Sequence, residues 1–231
     1  MTYESQYSEM VRFRESQGVT NLGIHTSIGW EEDPKRLVFH LARYKFVSKL
    51  FKGFAKVLEV GCGDGFASRI VRQSVDNLDA IDIDPIFIAD AIAQSRTRWN
   101  INFFVHDMLG GPWTQSDYDG IFLMDVLEHI KKDEESIFIQ NIIKSLKFDG
   151  IVIIGMPSIE SQKFASPRSK AGHVNCKSGE ELRDMLLQHF KRVTLFSMND
   201  EVVHTGFYPL AHYLIAVCSF KIDKEQVGTN L

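Results

Sequence analysis

The chain of 231 residues, 44% of them apolar, is long enough to bury a full core and falls near the usual size of one domain. Its formal charge of -4 and pI near 6.1 leave no surplus of Lys and Arg to neutralise a phosphate backbone, which argues against nucleic acid as a partner. Cys62, Cys176 and Cys218 are far apart and in no CxxC pair, which offers no zinc site and suits a reducing compartment.

The opening stretch MTYESQYSEMVRFRESQG is polar where a signal peptide would carry an apolar core, and no later apolar run is long enough to span a bilayer. A cytoplasmic protein is expected. Residues 1–32 are read as an N-terminal segment and candidate lid, 33–222 as the domain, and 223–231 as a flexible tail. About a dozen residues at the N-terminus are expected to lack fixed structure, as is the tail.

Asp33-Pro34 predicts a helix start, Asp as cap and Pro in the first turn, followed by Leu37, Leu41, Tyr44, Val47 and Phe51 at helical spacing and a stop by Gly53. KVLEV then reads as a strand, the glycines of VGCGDG as a turn, and Phe66 to Val75 as a helix. LDAID, INFFV, DGIFLM and GIVIIGM read as further strands, with helices over Pro85 to Arg96 and Glu134 to Leu146. Past them lie a polar loop with Pro157 and Pro167 and a helix opening at Ser178, with Glu181 completing a capping box. RVTLFSM and HYLIAVCSF close the chain as strands. The alternation implies an α/β fold: a Rossmann-like, doubly wound, mostly parallel sheet with helices on both faces and a C-terminal antiparallel hairpin.

In such a sheet, ligands bind beyond the carboxyl ends of the strands, where a glycine turn lets backbone approach them. Gly61, Gly63 and Gly65 lie there, but they read GxGxG rather than GxGxxG, with Glu59 before them and Asp64 among them. Carboxylates beside a pyrophosphate would repel it, so the surroundings favour a ligand with little anionic charge. Asp82 falls at the end of the second strand, about 20 residues past the first glycine, where an acid can take both ribose hydroxyls. Asp84 competes for that role, but it precedes Pro85 as a helix cap.

The segments VLEVGCGDG, AIDIDP, VHDM and FLMDVLEHI, in this order and spacing, resemble the motifs of class I S-adenosylmethionine-dependent methyltransferases. The resemblance implies S-adenosyl-L-methionine as cofactor and S-adenosyl-L-homocysteine as product. It implies that Glu59, Gly61 and Gly63 shape the pocket for the methionine part, and that Asp82 holds the ribose hydroxyls. Ile83 would pack on adenine, and Asp107 with Met108 would contact its edge and face, with Met124 in the same cofactor set. FHLARYKFVSKLFKGFAKVLEVGCGDG also resembles a subgroup in which a His-x-x-Arg-Tyr helix leads into the glycine motif, among enzymes acting on small molecules or glycans. Arg43 could then fork onto the methionyl carboxylate, with Tyr44 beside it.

Asp125, Glu128 and His129 follow the fourth strand at the mouth of the cleft, and His173 can reach over the acceptor from the loop after the fifth. Asp125, His129 and His173 are the candidate catalytic residues; Glu128 or His129 could instead orient the turn. Trp30, His25, Phe164, Ser166, Arg168 and Tyr208 fall in segments that could cover the acceptor side. The Asn/Asp-Pro-Pro-aromatic turn of enzymes that methylate amines of adenine or cytosine is replaced by Met124-Asp125-Val126-Leu127, and the Asp-Asp-Asn set of catechol-type enzymes finds no companions for Asp125, so no metal is expected. The acceptor is expected to be a small molecule or saccharide methylated at oxygen. A cofactor-binding module without transfer and a nicotinamide-dependent oxidoreductase are the competing readings; GxGxG with Glu59 argues against the latter.

Overall fold

The computed structural model describes residues 4–222. Strands β1 (Lys56–Val60), β2 (Asn77–Asp82), β3 (Asn102–Val105), β4 (Tyr118–Met124) and β5 (Leu146–Pro157) run parallel. They are followed by β6 (Phe190–Met198), β7 (Val203–His204) and β8 (Tyr213–Lys221), which pair antiparallel. Together they form one 8-stranded sheet in the order β3-β2-β1-β4-β5-β8-β6-β7. The chain leaves β1 toward β2 on one side and later returns to β4 on the other, which opens a crevice at the carboxyl ends of these strands. The final strand slots between β5 and β6, so the expected antiparallel pair is present with β7 added at its outer edge.

The period of two along each strand sorts side chains onto two apolar layers. Ile121 and Leu123 of β4, Val152 and Ile154 of β5 and Leu214 and Ala216 of β8 face one layer. Phe122, Met124, Ile153, Tyr213 and Ile215, their sequence neighbours, face the other. The first layer is closed by α6 (Glu135–Ser145), through Phe138, Ile139 and Ile142, and by α8 (Gly179–Leu187), through Leu182 and Leu186. The second is closed by α3 (Pro34–Leu50), through Tyr44 and Val47, by the short α4 (Ser68–Arg72), through Val71, and by α5 (Pro85–Ala93), through Ile88. Each such side chain taken fully out of water contributes roughly 1.5–3 kcal/mol.

Several local expectations shift. The helix expected over Phe66 to Val75 shortens to α4, and α5 ends at Ala93 instead of reaching Arg96. Asp33 occupies the cap position of α3 without a side-chain hydrogen bond, leaving Pro34 in the first turn as the helix-starting device. Residues expected to lack structure at the N-terminus form α1 (Ser8–Gln17), which buries none of its side chains. The proposed tail, 223–231, lies outside the described residues.

After α1 comes α2 (Ile24–Glu32), whose first turn is held by carboxylates from elsewhere in the fold. Asp64 of the glycine turn accepts from the Thr26 N–H at 2.7 Å and from its hydroxyl at 3.1 Å, and Asp90 of α5 accepts from the Ile24 N–H at 2.9 Å. Backbone donors at a helix N-terminus and an acidic partner satisfy each other. The N-terminal segment is thereby fastened to the crevice.

The loop after β5 contains α7 (Pro167–Gly172) and returns to the body through a buried ion pair, Lys177 to Glu135 at 2.7 Å. Asn175 donates to Glu135 at 2.7 Å and accepts from Lys177 at 3.1 Å. At the next helix, Ser178 and Glu181 exchange hydrogen bonds with each other's backbone N–H as a complete capping box. Ser178→Ala should cost about 1 kcal/mol of stability in a urea titration, with an unchanged slope; an unaltered midpoint would show that the cap contributes nothing.

Candidate active site

The glycine turn is built onto the end of β2. The Gly61 and Cys62 N–H groups donate to the Ile81 carbonyl at 2.8 and 3.1 Å, and the Gly63 N–H donates to the Asp82 carboxylate at 2.8 Å. The other Asp82 oxygen accepts from the Asp84 N–H at 2.9 Å, so this side chain is fixed while Asp84 turns away to cap α5 through the Ile86 N–H. Gly61 has a φ of +76°, and a Cβ there would stand 2.3 Å from a methyl carbon of Val126. A Cβ on Gly63, at φ +54°, would meet nothing within 4 Å, which leaves open space over the turn. A left-handed turn packed on one side and open on the other requires glycine for its conformation and leaves its backbone accessible to a ligand.

Glu59, at the penultimate position of β1, is only 1% exposed, and neither of its carboxylate oxygens has a hydrogen-bond partner. Burial pushes its pKa up to about 7; the Tyr44 and Ser68 hydroxyls beside it hold the value down without either closing a hydrogen bond. Asp82 and Asp64 add like charge, which raises it further. A buried, unpartnered carboxylate at a ligand-binding turn is a ready counter-charge for a cation. Ile83 beyond Asp82 is 65% exposed, available to a flat ring. Asp107 follows β3 and accepts from the Leu109 N–H within its own turn, while Met108 is buried in the core, its carbonyl held by Asn141 at 2.8 Å. Met124 is buried at the end of β4, its sulfur 3.8 Å from the Tyr213 hydroxyl.

Arg43 and Tyr44 do not share a role. The Arg43 guanidinium is ion-paired with Asp125 and stacked 3.6 Å from the centre of the Tyr213 ring and 4.6 Å from that of Phe39. Its Nε is buried and unpartnered. Burial alone would push the Asp125 carboxyl up; Arg43, with His40 at 3.7 Å, more than offsets this and holds it well below the usual carboxylate range. Asp125 is therefore a poor proton acceptor and a good anchor. His40 and Arg43 both meet it because residues three apart share a helix face. That spacing was visible in HLARY, whereas nothing in the sequence marked Tyr213.

The helical turn Leu127–His129 presents Glu128 and His129 to the cleft. Burial and the Asp125 charge push Glu128 well above the carboxylate range, and its Oε2 has no partner. Burial and the neighbouring His129 lower the His173 pKa, so that its ring is neutral at pH 7. The two imidazoles, expected from separate segments, stand with centroids 5.3 Å apart. Among the residues expected to cover this side, His25 stacks 6.4 Å from His40, and Trp30, Phe164 and Arg168 are exposed. Ser166 caps α7 and Tyr208 packs on Gly179, so both serve local structure.

Solved proteins share this fold. Residues 57–150 match the family model of a methyltransferase domain. The mitochondrial ubiquinone biosynthesis O-methyltransferase of Schizosaccharomyces pombe is 25% identical over 114 residues, 45% of this chain. The chain spans 42% of that relative's length. The N-methyltransferase NodS from Bradyrhizobium japonicum, solved with S-adenosyl-L-homocysteine, superposes with a TM-score of 0.61 at 19% identity, over 82% of this chain and 92% of NodS. A TehB-like S-adenosylmethionine-dependent methyltransferase from Corynebacterium glutamicum superposes at 0.59 and 18% identity, over 94% of this chain and 97% of that one. The sheet order and the glycine turn with its acid at the end of β2 thus accompany a methyltransferase-domain match over residues 57–150 and a fold shared with solved S-adenosylmethionine-dependent methyltransferases.

Proposed function

We propose that the protein transfers a methyl group from S-adenosyl-L-methionine to an oxygen of a small molecule or saccharide. The observation that carries this reading is the pairing of an unpartnered buried carboxylate, Glu59, with a glycine turn locked to Asp82. The cofactor supplies an electrophilic methyl on a sulfonium, together with a methionyl ammonium and a neutral adenosine. Glu59 offers the ammonium a counter-charge, and the open backbone at Gly61 and Gly63 lets the methionine part approach closely. Asp82 keeps lone pairs free beyond its two backbone hydrogen bonds for the ribose diol. Ile83 and the Asp107-Met108 turn border the space for the adenine ring. Arg43, already neutralised by Asp125, contributes by fixing the floor between cofactor and acceptor, with Tyr44 buried in the core beside Phe122.

On the acceptor side, Asp125, Glu128, His129 and His173 converge beyond β4. Methyl transfer gains most from in-line alignment and exclusion of water. An oxygen acceptor must also shed a proton, and imidazoles at the cleft mouth suit that demand. Relatives give both outcomes by name, an O-methyltransferase in one case and an N-methyltransferase in another; the imidazole pair favours oxygen here. The described part of the N-terminal segment, residues 4–32, acts as a lid whose hinge side is the Asp64–Thr26 fastening. Three unpaired cysteines fit a cytoplasmic setting, and no helix among the described residues is long and apolar enough to cross a membrane.

Calorimetric titration with S-adenosyl-L-homocysteine tests the reading. Wild type should bind, and Asp82→Ala should weaken binding by about 1.5–3 kcal/mol through loss of charge-assisted hydrogen bonds and of the turn's anchor. No binding by wild type, or equal binding by Asp82→Ala, would overturn it.

A further inference from the structure

The group formed by Glu128, His129 and His173 is more completely built than a general base requires. The ligand atoms of all three lie within 4.8 Å of one another. The Val174 and Asn175 N–H groups donate to the Glu128 carbonyl at 2.8 and 3.0 Å, which brings the loop after β5 onto the turn after β4. The Lys177–Glu135–Asn175 cluster then locks that loop against α6.

Each imidazole is oriented through its Nδ1. His129 Nδ1 lies 2.8 Å from the Gly172 carbonyl, and His173 Nδ1 lies 2.9 Å from Gln162 Oε1. A carbonyl only accepts, so the His129 proton sits on Nδ1. The Gln162 amide nitrogen is occupied at the Ser158 carbonyl, 3.3 Å away, which assigns its oxygen to His173 and that proton to Nδ1 as well. In each neutral ring Nε2 then carries the lone pair, the second-sphere arrangement that prepares histidines for a metal. Glu128 completes the set with a carboxylate oxygen that is buried and without a hydrogen-bond partner.

We propose that Glu128, His129 and His173 bind a divalent transition-metal ion, contrary to the sequence expectation of no metal. Two imidazole nitrogens and one carboxylate oxygen suit manganese, iron, cobalt or zinc better than magnesium or calcium, which take oxygen ligands. Ligand distances of about 2.0–2.2 Å require the three ligand atoms to draw closer together than the 4.8 Å within which they lie. Three protein ligands leave coordination positions open for an acceptor oxygen.

This rests on the methyl-transfer reading and narrows the acceptor to one with a hydroxyl that can ligate the ion. A coordinated hydroxyl loses its proton to water at lower pH than a free one. Its oxygen lone pair then forms the new bond to the methyl carbon, while the sulfur–methyl bond breaks and leaves its electron pair on sulfur. The imidazoles serve as ligands in this scheme and carry no proton from the acceptor.

The test uses the full chain, stripped with a chelator and titrated with Mn2+, following the loss of the free-ion electron paramagnetic resonance signal. Wild type should take up one ion per chain. Glu128→Gln, His129→Ala and His173→Ala should each weaken uptake by more than about tenfold, and Gln162→Ala, which touches only the second sphere, by about tenfold. S-adenosyl-L-homocysteine affinity, measured on the same preparations, should be unchanged in all four, which shows that the variants are folded. No uptake by wild type, or equal uptake by the His173 variant, overturns the site. Uptake without S-adenosyl-L-homocysteine binding sustains the metal site and overturns the methyl-transfer reading beneath it.

Discussion

Three consecutive backbone N–H groups, those of Gly61, Cys62 and Gly63, are anchored on the last two residues of β2, and the rest of the site depends on this attachment. It forces the chain through left-handed conformations at Gly61 and Gly63, turning the backbone away from β1 and opening the crevice that the strand order creates. The same turn packs on Val126, the residue after Asp125, so that the glycine turn and the turn after β4 stand in close contact. Through Asp64 it also starts α2 and brings His25 toward His40. A single parallel-strand junction thus sets the positions of groups drawn from widely separated parts of the chain.

The charge distribution follows one theme. Glu59, Asp64, Asp82, Asp125 and Glu128 crowd the carboxyl ends of β1, β2 and β4, and Arg43 is the buried cation that answers them. Asp64 is satisfied by α2 and Asp125 by Arg43, whereas Glu59 and Glu128 retain buried oxygens without partners. Burying such groups unpaired costs free energy, and each stands where a cation is proposed: Glu59 on the strand that leads into the glycine turn, for an ammonium, and Glu128 beside two imidazoles, for a divalent metal.

Much of this was legible in the sequence because it is local. Apolar runs and the glycine spacing marked the parallel strands and the turn, Asp84 before Pro85 announced the cap of α5, and Ser178 with Glu181 announced a helix. What escaped depends on contacts between distant segments. Asp64 was read as a charge repelling phosphate, yet its oxygens are spent on the start of α2. Arg43 was read toward a ligand carboxylate, yet Asp125 takes it. The meeting of His129 with His173 requires the Lys177–Glu135 pair and two backbone hydrogen bonds to Glu128, none of which has a spacing to recognise. Insertion of β8 between β5 and β6 is likewise a matter of pairing partners, which strand composition does not encode.

The central claim, that Glu59 is the counter-charge for a cationic ligand, has a direct readout in protons. With a pKa raised to about 7, above the unfolded value near 4.5, the folded free protein retains a proton on Glu59 that the unfolded chain has lost. The free protein therefore loses stability as pH rises through that window, and a cation placed against Glu59 must expel the proton. Calorimetric titration with S-adenosyl-L-homocysteine at pH 7, in two buffers of different ionisation enthalpy, should reveal release of up to about half a proton per molecule bound. Glu59→Gln should abolish that release. Binding by wild type with the same heat in both buffers would contradict the account.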